Sequence, residues 1–145
     1  METLGDFVQE NRASVFGPAN APIHWLAAED YADKVVKAYG NTERRNQRFI
    51  LHGPNPLSLS EALSLYLKVK RPLLALTHAP YWLGPILSFM VKDPSIKYAA
   101  HLCRYYEEVG DIADPTQSNA LLGAPTTTLQ QWLDLDHKAQ QLKAS

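Results

Sequence analysis

One stretch of the chain has the pattern strand, helix, strand, and it constrains the fold more than any other feature. Residues 49–53 form the first predicted strand, residues 59–70 a helix and residues 73–76 a second strand. The helix starts at a capping box, Ser58-Leu59-Ser60-Glu61, in which the Ser58 hydroxyl and the Glu61 side chain each bind an otherwise unpaired N–H. Parallel strands need a crossover of this kind. The sequence therefore predicts an α/β fold.

Other predicted elements lie on both sides of this unit. A helix at 3–11, two strands at 12–17 and 23–26 that would pair as a β-ribbon, and a helix at 30–39 precede it. The last third is predicted to be helix-rich, with segments at 86–91, 95–108 and 128–142 and a short turn ending at Gly123.

Size and composition exclude several classes of protein. A chain of 145 residues is long enough for one domain. Its 14 Lys+Arg and 15 Asp+Glu give a net charge of −1, so no basic surface indicates nucleic-acid binding. The single cysteine, Cys103, has no intrachain disulfide partner, and residues 1–6 lack the pattern of a signal peptide. We expect a cytoplasmic protein in which Cys103 is a small buried side chain.

The uncharged stretch 72–91 allows a second interpretation. Twenty such residues in a helix are long enough to cross about 30 Å of hydrocarbon. Pro80, Gly84 and Pro85 interrupt that helix, which favours a buried strand, a loop and a short helix instead. A membrane-associated protein built on residues 72–91 is kept as an alternative, and the membrane is not an expected partner.

The usual cofactor, metal and catalytic motifs are absent from the sequence. No two of its seven glycines lie within three residues of each other, so neither a Gly-x-Gly-x-x-Gly turn nor a Walker loop is present. Its five histidines never have the i, i+3 or i+4 spacing of helical metal ligands. Tyr66 and Lys70 have the Tyr-x-x-x-Lys spacing, but Tyr66 lies on the apolar face of its helix. We expect no catalytic, cofactor-binding or metal-binding residue in this chain alone.

Two aromatic pairs are the candidate substrate-binding residues. His24 and Trp25 lie on the second predicted strand, and Tyr81 and Trp82 follow Pro80. Each pair offers a flat apolar face with a polar group, which suits a small organic substrate. Packing in the core is the alternative interpretation of all four side chains.

Three segments, taken in order, resemble one family. His24–Asp33 resembles the strand-to-helix step of the atypical and extended short-chain dehydrogenase/reductases, which include the NmrA-like group. Phe49–Glu61 is similar to that family's late strand, glycine turn and helix start, and Leu122–Leu133 to its closing helix. Even Met1–Leu4 resembles a helix that lies well inside such a chain, so the resemblance covers nearly all 145 residues.

The resemblance implies the C-terminal portion of a Rossmann-like fold. Strand 49–53 would be the last parallel strand, beside a small substrate-binding subdomain, and residues 1–145 would form a single incomplete domain. In the family NAD(P) is bound by an amino-terminal half, and the catalytic Tyr-x-x-x-Lys also precedes the region that this chain resembles. Tyr66 and Lys70 therefore do not occupy the catalytic position.

These inferences give one leading function and one further alternative. The leading one is a substrate-binding segment of an NAD(P)-dependent oxidoreductase or isomerase, inactive by itself. Because strand 49–53 would have an unpaired edge, we also expect a protein partner or self-association there. The alternative is a non-enzymatic interaction module that uses this edge.

Overall fold

The computed structural model describes residues 1–9, 11–40 and 46–135. The chain forms two compact units, unit 1 (Met1–Glu2, His24–Pro56 and Ile112–Ser145) and unit 2 (Thr3–Ile23 and Leu57–Asp111). In chain order the elements are a 3₁₀ helix at Glu2–Phe7, β1 at Ala13–Phe16, β2 at Pro22–His24, α1 at Ala28–Tyr39, β3 at Pro56–Ser58, α2 at Leu59–Lys70, β4 at Leu76–Ala79, α3 at Leu83–Val91, α4 at Pro94–Val109 and α5 at Thr116–Leu122. Residues 129–135 are also helical.

A parallel pair of strands, β1 and β4, lies at the centre of unit 2. Ala13 is opposite Leu76 and Phe16 is opposite Ala79. Along β1 the side chains alternate, so that Ala13 and Val15 are completely buried while the hydroxyl of Ser14 is 3.1 Å from that of Thr77. The predicted α/β class is confirmed, but the predicted parallel pairing of strands 49–53 and 73–76 is wrong, because β4 pairs with β1. Since residues 49–53 form no strand, the unpaired edge expected there is absent as well.

The predicted ribbon between strands 12–17 and 23–26 is wrong. β1 pairs with β4, whereas β2 pairs with β3. The backbone N–H groups of Asn20 and Ala21 donate to the Glu107 carboxylate of α4, at 2.9 and 3.1 Å. These bonds hold the connection between β1 and β2 on α4, so it does not form the tight turn of a hairpin.

Helix α2 begins and ends where the sequence predicts. The Ser58 hydroxyl accepts a hydrogen bond from the Glu61 N–H at 3.1 Å, and the Glu61 carboxylate accepts from the Ser58 N–H at 2.9 Å. Ala62, Leu63 and Leu67 are buried on one face. The capping box is therefore confirmed, and the helix is held by its apolar face.

The strands predicted on either side of α2 are displaced along the chain. Residues 49–53 contain no strand; in this segment the Ile50 N–H donates to the Ser118 hydroxyl at 2.8 Å rather than to a neighbouring strand. After α2, the Leu74 N–H donates to the Arg71 carbonyl at 2.9 Å. That turn occupies part of the predicted strand 73–76, so β4 begins at Leu76.

The uncharged stretch 72–91 is divided between β4, a loop and α3. A Cβ added to Gly84 of α3 would overlap the Ala100 side chain of α4, so these two helices pack very closely. Lys92, with φ of 57°, ends α3, and Asp93 caps α4 by accepting from the Ser95 N–H at 2.9 Å. None of the helices in the described residues is both long and apolar enough to span a membrane.

Unit 1 is built on α1, α5 and the helical residues 129–135. The Asp30 carboxylate of α1 accepts hydrogen bonds from the N–H groups of Thr126 and Thr127, at 2.9 and 2.8 Å. Leu133 is completely buried. The helix predicted at 128–142 is thus observed as far as residue 135, and its remainder lies outside the described residues.

Candidate functional site

The first aromatic pair, His24 and Trp25, belongs to unit 1. The His24 ring stacks on the ring of His52, with centroids 4.4 Å apart and planes inclined by 13°. A Cβ added to Gly53 would overlap the backbone carbonyl of Trp25, so the two segments approach closely. His24 and Trp25 are therefore packed against residues 52–53, a contact that sequence reasoning did not predict.

The second pair, Tyr81 and Trp82, belongs to unit 2 and lines an open cavity of about 810 Å³. The cavity lies at the carboxyl ends of β1 and β4, because Gly17 follows β1 and Pro80 follows β4. In open α/β sheets, ligands bind in the crevice beyond the carboxyl ends of the strands. We therefore take this cavity as the candidate functional site.

A contact between Gly17 and Tyr81 forms part of the cavity wall. Gly17 has φ of +73°, and a Cβ at this position would overlap the Tyr81 ring. The Gly17 N–H donates to the Ala79 carbonyl at 2.8 Å, and the Gly17 carbonyl bonds Nδ1 of His78 at 2.9 Å. Because a carbonyl oxygen only accepts, Nδ1 of His78 is the donor of this hydrogen bond.

The Tyr81 hydroxyl is turned away from water. Among the described residues it has no hydrogen-bond partner although it is buried. Burial, followed by the nearby charge of Glu107, raises the pKa of Tyr81 above its ordinary value. The phenol therefore stays protonated, and Tyr81 offers the cavity its ring rather than an ionised oxygen.

The polar part of the wall comes from α4. His101 and Arg104 both line the cavity and are one helical turn apart on the same face. Nε of Arg104 donates to Glu108 at 2.7 Å, in an ion pair whose two side chains are each about 60% exposed. No carboxylate lines this cavity among the described residues. Sequence reasoning missed both residues.

Cys103 is the buried side chain that the sequence predicts. It is 4% exposed, and burial raises the pKa of its thiol. Because the thiolate is the nucleophilic form, this environment does not favour attack on a substrate. The candidate site can therefore bind and orient a ligand by aromatic packing and N–H donors.

The starts of α2 and α3 do not fit a dinucleotide in the usual way. Pyrophosphate binding needs free N–H groups at the start of a helix that follows a strand. Helix α2 follows β3 directly, but its capping box occupies the N–H groups of Ser58 and Glu61. The turn before α3 holds the bulky residues Tyr81 and Trp82 in place of a glycine-rich sequence.

Comparison with known proteins gives matches in structure but not in sequence. No family model matches the chain, and no curated protein matches its sequence. The NADPH-dependent quinone oxidoreductase QOR2 of Escherichia coli matches with a TM-score of 0.68 and 15% identity, over 92% of this chain and 49% of that one. A nucleoside-diphosphate-sugar epimerase of Staphylococcus aureus matches with a TM-score of 0.65 and 15% identity, over 91% and 46%.

A third match is the triphenylmethane reductase of Citrobacter sp., solved with NADP(H), with a TM-score of 0.63 and 10% identity over 84% of this chain and 44% of that one. At these identities the likeness shows the fold. The α/β, Rossmann-like fold class is thus confirmed, and the predicted resemblance to the atypical, NmrA-like reductases holds at the level of the fold. The chain spans less than half the length of each of these proteins.

Proposed function

We propose that this chain is the substrate-binding part of an NAD(P)-dependent oxidoreductase-like protein and does not turn over substrate by itself. The observation that carries the proposal is the open cavity beyond the carboxyl ends of β1 and β4, lined by Tyr81 and Trp82. The fold supports it, because the matched structures include an NADPH-dependent oxidoreductase and a reductase solved with NADP(H).

The proposed ligand is a small, flat organic carbonyl compound. Aromatic rings favour stacked or edge-on partners of similar shape, and the Tyr81 ring and the 66% exposed Trp82 indole supply such surfaces. The name of one matched protein, a quinone oxidoreductase, agrees with this substrate class, and the name of another, a triphenylmethane reductase, agrees with an aromatic ligand. His24 and Trp25 remain candidates, although the stacking of the His24 ring on His52 makes this the weaker pair.

The cofactor is proposed to be held by another polypeptide or by an amino-terminal half. The capped start of α2 and the bulky turn before α3 support this proposal. A reaction would then need both parts together, with this chain orienting the substrate. We also propose that the protein is located in the cytoplasm, as expected from its sequence.

An interaction module is the second candidate function. β1–β4 and β2–β3 are each two-stranded among the described residues, and a parallel pair is normally buried within a larger sheet. The unpaired edges of such short sheets favour a partner protein or a second copy. Size-exclusion chromatography with light scattering distinguishes this function: a clean monomer that captures no partner would count against it.

The proposed function is tested by calorimetric titration of the purified chain with anthraquinone-2-carboxamide, a neutral flat carbonyl compound, and with NADPH. We expect the amide to bind and NADPH not to bind at micromolar concentration. Trp82→Phe should weaken amide binding several-fold, because the larger indole surface is lost. Trp25→Phe is the matched control and should leave it unchanged.

Three results would contradict the proposal. They are micromolar affinity for NADPH, reduction of a carbonyl compound by the chain alone, and a loss of amide binding in Trp25→Phe rather than in Trp82→Phe. The last result would indicate that the ligand binds near Trp25 in unit 1 rather than in the cavity of unit 2.

A further inference from the structure

The wall of the candidate cavity contains a positively charged side chain and, among the described residues, no negatively charged one. Its wall contains one permanent cation, Arg104, and two imidazoles, His78 and His101, but no acidic side chain among the described residues. Tyr81 and Trp82 supply the aromatic part of the same wall. A ligand with a flat ring and a negative group would match both parts of this surface.

We propose that the ligand of this cavity is an aromatic anion, a flat ring system whose carboxylate-like group is bound by Arg104 and His101. The inference rests on the proposed function, since it specifies the charge of the ligand for the same site.

The hydrogen bonds of Arg104 leave it able to bind an anion. Its Nε–H donates to Glu108, and its two terminal nitrogens have no hydrogen bond to the described residues. Those nitrogens carry four of the five N–H donors of a guanidinium. A planar pair of such donors matches a carboxylate and forms charge-assisted bonds that are stronger than neutral ones.

Two acids, Glu107 and Glu108, lie near the cavity without lining it. The Glu108 carboxylate pairs with Arg104 in a bridge whose side chains are both exposed, and such exposed bridges are weak. The Glu107 carboxylate already accepts the N–H groups of Asn20 and Ala21, and Glu107 does not line the cavity. Neither carboxylate therefore occupies the position that a ligand anion would take.

His101 adds a second polar group at the right place. It is exposed, lines the cavity, and lies three residues before Arg104 on α4, so the two side chains are neighbours on one helix face. An imidazole ring always carries at least one N–H donor at neutral pH. Together the two side chains present several donors to one anionic group beside the aromatic wall.

The test compares two probes that differ in one group, anthraquinone-2-carboxylate and anthraquinone-2-carboxamide, by calorimetric titration of the full chain. We expect the carboxylate to bind about tenfold more tightly, because a hydrogen bond to a charged group is stronger than one to a neutral group. The preference should decrease as salt is added, because the site is exposed.

Variants of Arg104 test whether this side chain causes the tighter binding of the carboxylate probe. Arg104→Gln should reduce it to about twofold or less, and Arg104→Lys should retain part of it, because lysine keeps the charge but lacks the planar donor pair. Lys97→Gln is the matched control: it removes the same charge from an exposed position of α4 that does not line the cavity, and should keep the full preference.

Each outcome has a distinct meaning. Equal binding of the two probes, or a preference that survives in Arg104→Gln, would overturn the inference and leave the proposed function intact. If neither probe binds, the proposed function fails and the inference fails with it.

Discussion

Gly17 is the residue on which the shape of the candidate cavity depends most. Its φ of +73° is unfavourable for any residue with a Cβ, and the Tyr81 ring occupies the space that the Cβ would fill. Gly110 has a similar φ of +69°, but nothing lies within 4 Å of the corresponding Cβ position. Substituting each glycine by alanine therefore distinguishes the cost of backbone strain from the effect of displacing the Tyr81 ring.

Gly17→Ala should destabilise the fold by more than about 1–2 kcal/mol, the ordinary cost of placing an L-residue in the left-handed region. It should also weaken binding of anthraquinone-2-carboxamide, because the Tyr81 ring must move. Gly110, with φ of 69° and ψ of −169°, lies in a region that glycine alone adopts readily, so Gly110→Ala should lose stability but bind normally. Urea unfolding and calorimetric titration of both variants check this, and a loss of binding in Gly110→Ala as large as that in Gly17→Ala would contradict it.

Tyr81→Phe should leave the free energy of unfolding unchanged or raise it by about 1 kcal/mol. A buried hydroxyl without a partner lowers stability, so its removal relieves that cost. Tyr105→Phe, at a side chain 55% exposed, is the control and should change stability by less than about 0.5 kcal/mol. A clear loss of stability in Tyr81→Phe, measured by urea unfolding, would mean that its hydroxyl has a hydrogen-bond partner.

Residue identity alone singled out two of the side chains that line the candidate cavity. Tyr81 and Trp82 stand out because two aromatics follow a proline after an apolar strand. Arg104 and His101 gave no such signal, since polar residues on a helix usually face solvent. They reach the cavity because α4 packs against α3 where Gly84 meets Ala100, a tertiary contact. Their i, i+3 spacing, next to the buried Ala100 and Cys103, was the available signal.

At the scale of the elements, the start of α2 is stabilised by the capping box of Ser58 and Glu61. Ser58→Ala should lower the free energy of unfolding by about 1 kcal/mol, because the Glu61 N–H loses its acceptor. Ser64→Ala, whose hydroxyl donates to the Ser60 carbonyl within the same helix, is the control and should change stability much less. Thermal and urea unfolding at neutral pH measure both effects, and equal losses would contradict the role of the cap.

The same capping box should make stability depend on pH. Hydrogen bonds from the Ser58 N–H and hydroxyl lower the pKa of Glu61 below its ordinary value of 4.5. A carboxylate with a lowered pKa stabilises the fold above its ordinary pKa, and this stabilisation is lost as the pH falls through the folded value. The difference in Tm between the natural chain and Glu61→Gln should therefore be constant at neutral pH and shrink in acid. A difference that stays constant into acid would contradict this.

Helices were easier to predict than strands for a physical reason. The capping box and the apolar face of α2 are local, so its bounds follow from the sequence. A strand exists only where another strand pairs with it, and no local pattern identifies that partner. Residues 49–53 are apolar enough for a strand, but among the described residues no strand pairs with them, whereas β3 and β4 form where partners lie.

At the scale of the whole molecule, exposed apolar side chains predict a chain of limited stability by itself. Phe89 is 86% exposed and Met90 71% exposed on α3. Apolar surface left in water forgoes about 25 cal/mol per Å². We therefore expect the purified chain to be marginally stable, to self-associate or to be completed by a partner.

Thermal unfolding at two protein concentrations about a hundredfold apart, with light scattering, checks this expectation. The Tm should rise with concentration if the chain associates, because association stabilises the folded state by mass action. A sharp, cooperative transition above about 60 °C that is independent of concentration would contradict it.

The parallel pairing of β1 with β4 has a consequence for the order of events during synthesis. Ser14 and Thr77 are neighbours across the sheet although 63 residues separate them in the chain. On the ribosome, the first strand emerges long before its partner has been translated, and contacts of such long range form slowly. The candidate cavity is therefore assembled late, after the exit tunnel has released the segment that contains β4.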